Sequence, residues 1–213
     1  MIRIPQHNDW VIFLVLGCLF LFVFMLRSLK RDSSILEFLQ QQYEDSANNF
    51  LSGIITMVVF CLLMSTLITP NIPVVPSAVT DYHLLGYEIN KFGFTLGAVM
   101  IIFSTRTVLS YLFFASTGAA KRWDLFSFVA SKYYFCFSIV VMVLCIGQYY
   151  FNVDRFSFLN VSFYTLLILF LFKLIYYFLQ KEPVLPQKWY YKFLYICTLQ
   201  IVPVLVLWKI LFI

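Results

Sequence analysis

Three cationic side chains, Arg106, Lys173 and Lys209, interrupt long apolar runs, and they are the residues best placed to do chemistry. A charge held at membrane depth is by default a candidate ion or substrate contact. Lys173 and Lys209 each lie within about six residues of a predicted helix end, so their long stems reach water by snorkelling. Arg106 is flanked on both sides by charge-free runs of 14 residues, 92–105 and 107–120. An Arg at mid-span costs about 2.5 to 3.5 kcal/mol and each Leu, Ile, Phe or Val returns about 0.3 to 0.6, so about a dozen apolar neighbours carry it. Two readings of Arg106 stand. It reaches a headgroup phosphate about two turns away, or it makes a salt bridge or anion contact inside a bundle, beside Ser104, Thr105, Thr107 and Ser110. Gln148 and Gln200 are the side chains most able to bridge helices, a contact worth about 0.6 to 2 kcal/mol in membranes. Pro203 kinks the last helix and frees a carbonyl near Leu199 that a neighbour must satisfy.

Other chemistries lack their residues. None of the 10 Asp and Glu lies well inside an apolar run, whereas proton- and sodium-coupled carriers depend on intramembrane carboxylates. The two histidines, His7 and His83, fall outside those runs, which removes axial haem ligation and a His-rich metal site. Cys18, Cys61, Cys136, Cys145 and Cys197 form no CxxC pair and read as small apolar fillers. Ser116-Thr-Gly118 has no partner histidine for a nucleophile, and there is no glycine-rich phosphate loop. The expectation is therefore no enzyme, no cofactor and no metal. A chain 62% hydrophobic and 12% charged, with a mean hydropathy of +0.88, is also no soluble, disordered or nucleic-acid-binding protein.

The elements that must hold these residues are transmembrane helices. Crossing about 30 Å of hydrocarbon takes roughly 20 residues with few charges. Six runs qualify, at 10–26, 50–69, 92–114, 133–151, 160–179 and 193–213, in a single integral-membrane domain over 1–213. A membrane barrel would alternate polar and apolar residues, and 139–146 is apolar on every face. The fold class is thus an all-α polytopic bundle. Tyr133-Tyr134 with Tyr149-Tyr150, and Trp189 with Trp208, bracket the fourth and sixth spans as headgroup belts. The first span ends Phe24-Met25-Leu26-Arg27, without a small-residue cleavage site, so it is read as retained.

One set of loops holds nine Lys and Arg and the other side four, which puts the basic loops in the cytoplasm and both termini in the periplasm. Arg27, Lys30, Arg31, Lys121, Arg122, Lys188 and Lys192 are the expected headgroup anchors in a lipid bilayer. Ser34-Ile-Leu-Glu37 has capping-box spacing and opens an amphipathic helix of about eleven residues on the cytoplasmic surface. Asp124 opens a helix that runs through Lys132 into the fourth span. Pro70, Pro73 and Pro76 start a polyproline-like outer loop, which either docks a partner or merely connects. Gly93-x-x-x-Gly97 offers a small-residue groove for a close helix contact, within one chain or between chains, and Ser52 with Thr56 offers another.

The closing stretch from Phe193 through Gln200 to Pro203, with its basic aromatic lead-in and Lys209 after it, resembles an uncharacterised family of small polytopic inner-membrane proteins of Bacteroidetes. That family carries a domain-of-unknown-function label. The resemblance implies a bacterial inner-membrane location and supplies no activity; family members often have an acidic residue where this chain has Gln200. The first expectation is a non-catalytic structural or assembly subunit of an envelope complex, contacting other envelope proteins or a second copy of itself. The alternative is a small transporter or channel for an anionic or neutral solute, with Arg106 lining the path.

Overall fold

In a computed structural model, residues 9–30, 34–44, 48–72, 83–84, 87–88, 90–120, 122–151, 154–179 and 189–212 are described. Helix α1 (Asp9–Phe24) runs on into a π-helical turn, Met25–Leu29, and is followed by the short α2 (Ile35–Gln40). Then come α3 (Asn49–Ile68), with a 3-10 turn at Thr69–Asn71, α4 (Lys91–Ser116), α5 (Arg122–Tyr150) and α6 (Arg155–Leu179). The last crossing is α7 (Trp189–Tyr195), a π-helical turn at Ile196–Ile201, and α8 (Val202–Phe212). Six of these helical stretches are long and apolar enough to span a membrane. Between α3 and α4 the strands His83–Leu84 and Tyr87–Glu88 pair antiparallel. Pro70 falls in the 3-10 turn, while Pro73 and Pro76 lie outside the described residues.

Helix α3 is the centre of the bundle, packed against α5, α4 and α1. Its small residues let neighbours approach: Ser52 and Thr56 are buried, and the Thr56 hydroxyl satisfies itself on the Ser52 carbonyl at 2.8 Å. Val11, Val15, Cys18 and Phe22 of α1 recur at helical spacing with Met25 of the π-helical turn and form the stripe that joins Val59, Leu63, Phe135, Val141 and Cys145 in the main core. The opposite faces are equally apolar, as Phe13, Phe20, Ile101 and Phe172 are exposed, which suits a lipid surround.

The end of the bundle where α1 stops and α5 starts is tied by two lysines. Lys30 does not extend to the headgroups as expected. It is buried, donates to Asn49 Oδ1 at 2.7 Å and lies over the Phe38 and Phe128 rings, and burial lowers its pKa from the usual lysine value. Helix α2 has the expected capping box, with Glu37 N donating to Ser34 Oγ at 3.2 Å and Ser34 N to Glu37 Oε2 at 2.7 Å. It spans 6 residues instead of about eleven, because Lys132 of α5 takes the carbonyls of Leu39 and Gln41 and closes its end. Phe38 plugs it onto Phe135, ring centroids 5.2 Å apart.

Helix α5 begins at Arg122 with Asp124 in its first turn and runs through Lys132. Tyr133 and Tyr134 therefore sit about three turns inside it and are no headgroup belt: Tyr133 donates to the Leu169 carbonyl and Tyr134 turns into the bundle. A Cβ at Gly147 would lie 3.0 Å from the Phe158 ring, so this glycine is where α5 and α6 close on each other. At Gly97 a Cβ would meet nothing within 4 Å among the described residues, so no described helix closes on it there.

Candidate functional site

Helix α4 buries Thr95, Val99, Arg106, Ser110 and Phe114, spaced by four, seven, four and four residues on one stripe. Only one member of that stripe is charged. Arg106 is 8% exposed, so it points into the bundle and does not reach a headgroup. Opposite it stands the irregular turn of the last crossing. Proline lacks the amide that would bond four residues back, and before Pro203 the helix widens into the π-helical turn. The carbonyl released is that of Leu199, and Arg106 Nε donates to it at 3.0 Å. Arg106 Nη2 donates to Gln200 Oε1 at 2.7 Å, and Gln200 Nε2 to the Tyr195 hydroxyl at 3.0 Å. Tyr195 in turn lies 3.5 Å from Ser110 Oγ, which closes the ring back onto α4.

A second cation enters from α6. Lys173 was expected to snorkel, yet it is 3% exposed and donates to the Tyr134 hydroxyl at 3.0 Å, lying over the Tyr134 ring at 4.4 Å and the Tyr133 ring at 5.1 Å. Arg106 Nη1 donates to the same hydroxyl. Two cations thus share one phenolic oxygen. No carboxylate among the described residues pairs with either.

Each polar side chain here has a limited inventory of partners. The guanidinium has five N–H donors and the ammonium three, against acceptors supplied by one carbonyl, one amide oxygen and one hydroxyl. Donors outnumber acceptors in this buried cluster, where the Tyr177 hydroxyl also has no hydrogen-bond partner among the described residues. Such a cluster can hold an oxyanion. No three His, Cys, Asp or Glu come together among the described residues, and the buried Cys145 donates to the Leu63 carbonyl.

From the cluster a cavity of about 280 Å³ runs between α3, α4, α5, α6 and α8. Met64, Leu67, Leu166, Phe170 and Leu207 are typical of its walls. Ser162, 7% exposed, and Asn71 also line it, and Ser162 Oγ and Asn71 Oδ1 have no hydrogen-bond partner among the described residues.

Residues 10–211 match the model of a family described as a domain of unknown function, DUF4271. The chain belongs to the DUF4271 family. No curated protein and no solved structure matches it. In this DUF4271 protein the structure gathers Arg106, Gln200 and the turn before Pro203, three of the positions singled out from sequence. Gln148 stands apart, its Oε1 buried with no partner among the described residues. Gly93 is exposed and Gly97 half-buried on α4, away from the cluster. Arg27 is exposed, Arg122 and Lys192 are half-buried, and Arg31, Lys121 and Lys188 lie outside the described residues. Sequence reasoning missed Tyr134, Tyr195 and the inward turn of Lys173. The signal for the last was present: Ser162, Lys173 and Tyr177, spaced by eleven and four, share one face of α6 and are its buried residues among those described.

Proposed function

We propose that this DUF4271 protein is a non-catalytic, multi-pass protein of the bacterial inner membrane that binds an anionic solute between its helices. One observation carries the reading: Arg106 and Lys173 are both buried, meet at Tyr134 and lack a counter-charge among the described residues. Held no more than roughly 6 Å apart, two such charges repel by about 3 kcal/mol at an effective dielectric constant of about 20. An anion received there relieves that repulsion and takes the surplus donors. Of the two sequence-level expectations, this geometry favours the solute-handling one. A subunit role in an envelope complex keeps one support, the Gly93 and Gly97 face, which no described helix of the chain closes on and which a helix from elsewhere could take.

The test is thermal unfolding of the purified protein against a panel of anionic and matched neutral compounds. At least one anionic class raises the unfolding midpoint of the wild type and leaves that of Lys173→Gln unmoved. A panel in which no anion discriminates the two proteins defeats the reading. Sidedness follows the positive charge, with the basic loops in the cytoplasm. Cysteines placed at 36 and 84 test it, since impermeant thiol reagents on intact cells should label only the second.

A further inference from the structure

We infer that the anion is the head of a single-chain amphiphile, a carboxylate or phosphate on one hydrocarbon tail, lying with its head on Arg106, Lys173 and Tyr134. The inference rests on the anion-site reading above and names its ligand class.

Three features of the cavity point to a tail. Its walls are apolar for their whole length apart from the cluster and the isolated Ser162 and Asn71, so a small hydrophilic ion would cross Leu, Phe and Met surface with no replacement for its water. Its length is that of one acyl chain. On α6 the lining runs from Lys173 to Leu159 and on the last crossing from Gln200 to Leu211, which at 1.5 Å per residue is roughly 16 to 21 Å, against about 15 Å for one leaflet of hydrocarbon. Its volume of about 280 Å³ falls just below the usual range of ligand pockets, which suits one hydrocarbon chain better than a two-chain phospholipid.

Charge says which end goes where. The only cations among the lining residues are Arg106 and Lys173, beside Gln200, so the head seats there and the tail lies along Leu166, Phe170 and Leu207. Helix α6 is the loosest wall. Its buried residues among those described, Ser162, Lys173 and Tyr177, are all polar, while its apolar side chains Ile168, Phe172 and Ile175 face outward. A tail therefore enters sideways from the bilayer past α6, carrying a head that could not reach the cluster alone.

The experiment follows thermal unfolding of the full chain in a neutral maltoside detergent during titration with dodecyl phosphate, laurate, dodecanol or inorganic phosphate. Dodecyl phosphate and laurate raise the midpoint, while dodecanol and inorganic phosphate at the same total concentration leave it unchanged. Lys173→Gln weakens the response to dodecyl phosphate by at least about tenfold. Ser162→Phe fills the cavity without breaking any hydrogen bond of the Ser162 side chain, and it abolishes the response; should it not fold, Val204→Phe on the opposite wall replaces it. Inorganic phosphate acting as strongly as dodecyl phosphate, in the wild type and in the filled-cavity variant alike, overturns the amphiphile and leaves the anion site standing. Dodecanol acting as strongly as dodecyl phosphate overturns the assignment of a charged head. No dependence on Lys173 for any compound overturns both this inference and the reading beneath it.

Discussion

The contact between Arg106 and the carbonyl of Leu199 exists because Pro203 has no amide, and that dependence can be measured. Arg106→Leu removes three bonds, to Leu199 O, Gln200 Oε1 and the Tyr134 hydroxyl. Bonds between helices in membranes are worth about 0.6 to 2 kcal/mol each, so the three together contribute about 2 to 6 kcal/mol. Losing the charge also relieves its repulsion of about 3 kcal/mol with Lys173, which offsets much of that loss and cancels between the two backgrounds of the cycle below. Pro203→Ala returns an amide four residues after Leu199, and the helix can then satisfy that carbonyl itself. In the Pro203→Ala background Arg106→Leu should cost less by one bond, about 1 kcal/mol. The assay is a double-mutant cycle on equilibrium unfolding of the purified protein in mixed micelles, with increasing anionic detergent as denaturant. Equal costs of Arg106→Leu in the two backgrounds, within about 0.3 kcal/mol, would refute the claim that proline hands this carbonyl to the arginine.

Three further outcomes follow from the same geometry. Lys132→Met leaves the carbonyls of Leu39 and Gln41 without their donor and should destabilise α2 locally by about 1 to 3 kcal/mol, read as faster hydrogen exchange over 35–40 and earlier proteolysis nearby. The Ser34 backbone amide holds the Glu37 carboxyl below the usual carboxylate range, so its support for α2 is complete at neutral pH and disappears as pH falls through that depressed value; exchange over 35–40 should quicken on acidification, and Glu37→Gln should remove that pH dependence. Gly147→Leu drives a side chain into the Phe158 ring and should cost about 1 to 3 kcal/mol in the same unfolding assay, with Phe158→Ala recovering part of the loss.

Much of the site's inventory is legible in the amino-acid sequence. Arg106 stood out through its charge-free flanks, and the carbonyl orphaned by Pro203 follows from proline chemistry alone. The capping box at Ser34 and Glu37 was readable because it is local, made by residues three apart. What was hidden is pairing at a distance. Arg106 and Leu199 are separated by 93 residues, and Lys173 and Tyr134 by 39. The inward turn of Lys173 and of Tyr134 ran against the usual behaviour of both types, since an isolated lysine snorkels and tyrosines favour headgroups.

Length, hydropathy and the order of charges were enough to establish six apolar crossings and to withhold the carboxylates and histidines on which cation transport and haem or metal chemistry depend. Which face of each helix turns inward was decided only in three dimensions. In water the apolar stripe announces the buried side; here lipid and protein interior are equally apolar, every face is hydrophobic, and periodicity loses that information. The choice falls to the few polar groups that lipid leaves unsatisfied, so Arg106, Lys173, Gln200 and Tyr134 meet where the bundle folds upon them.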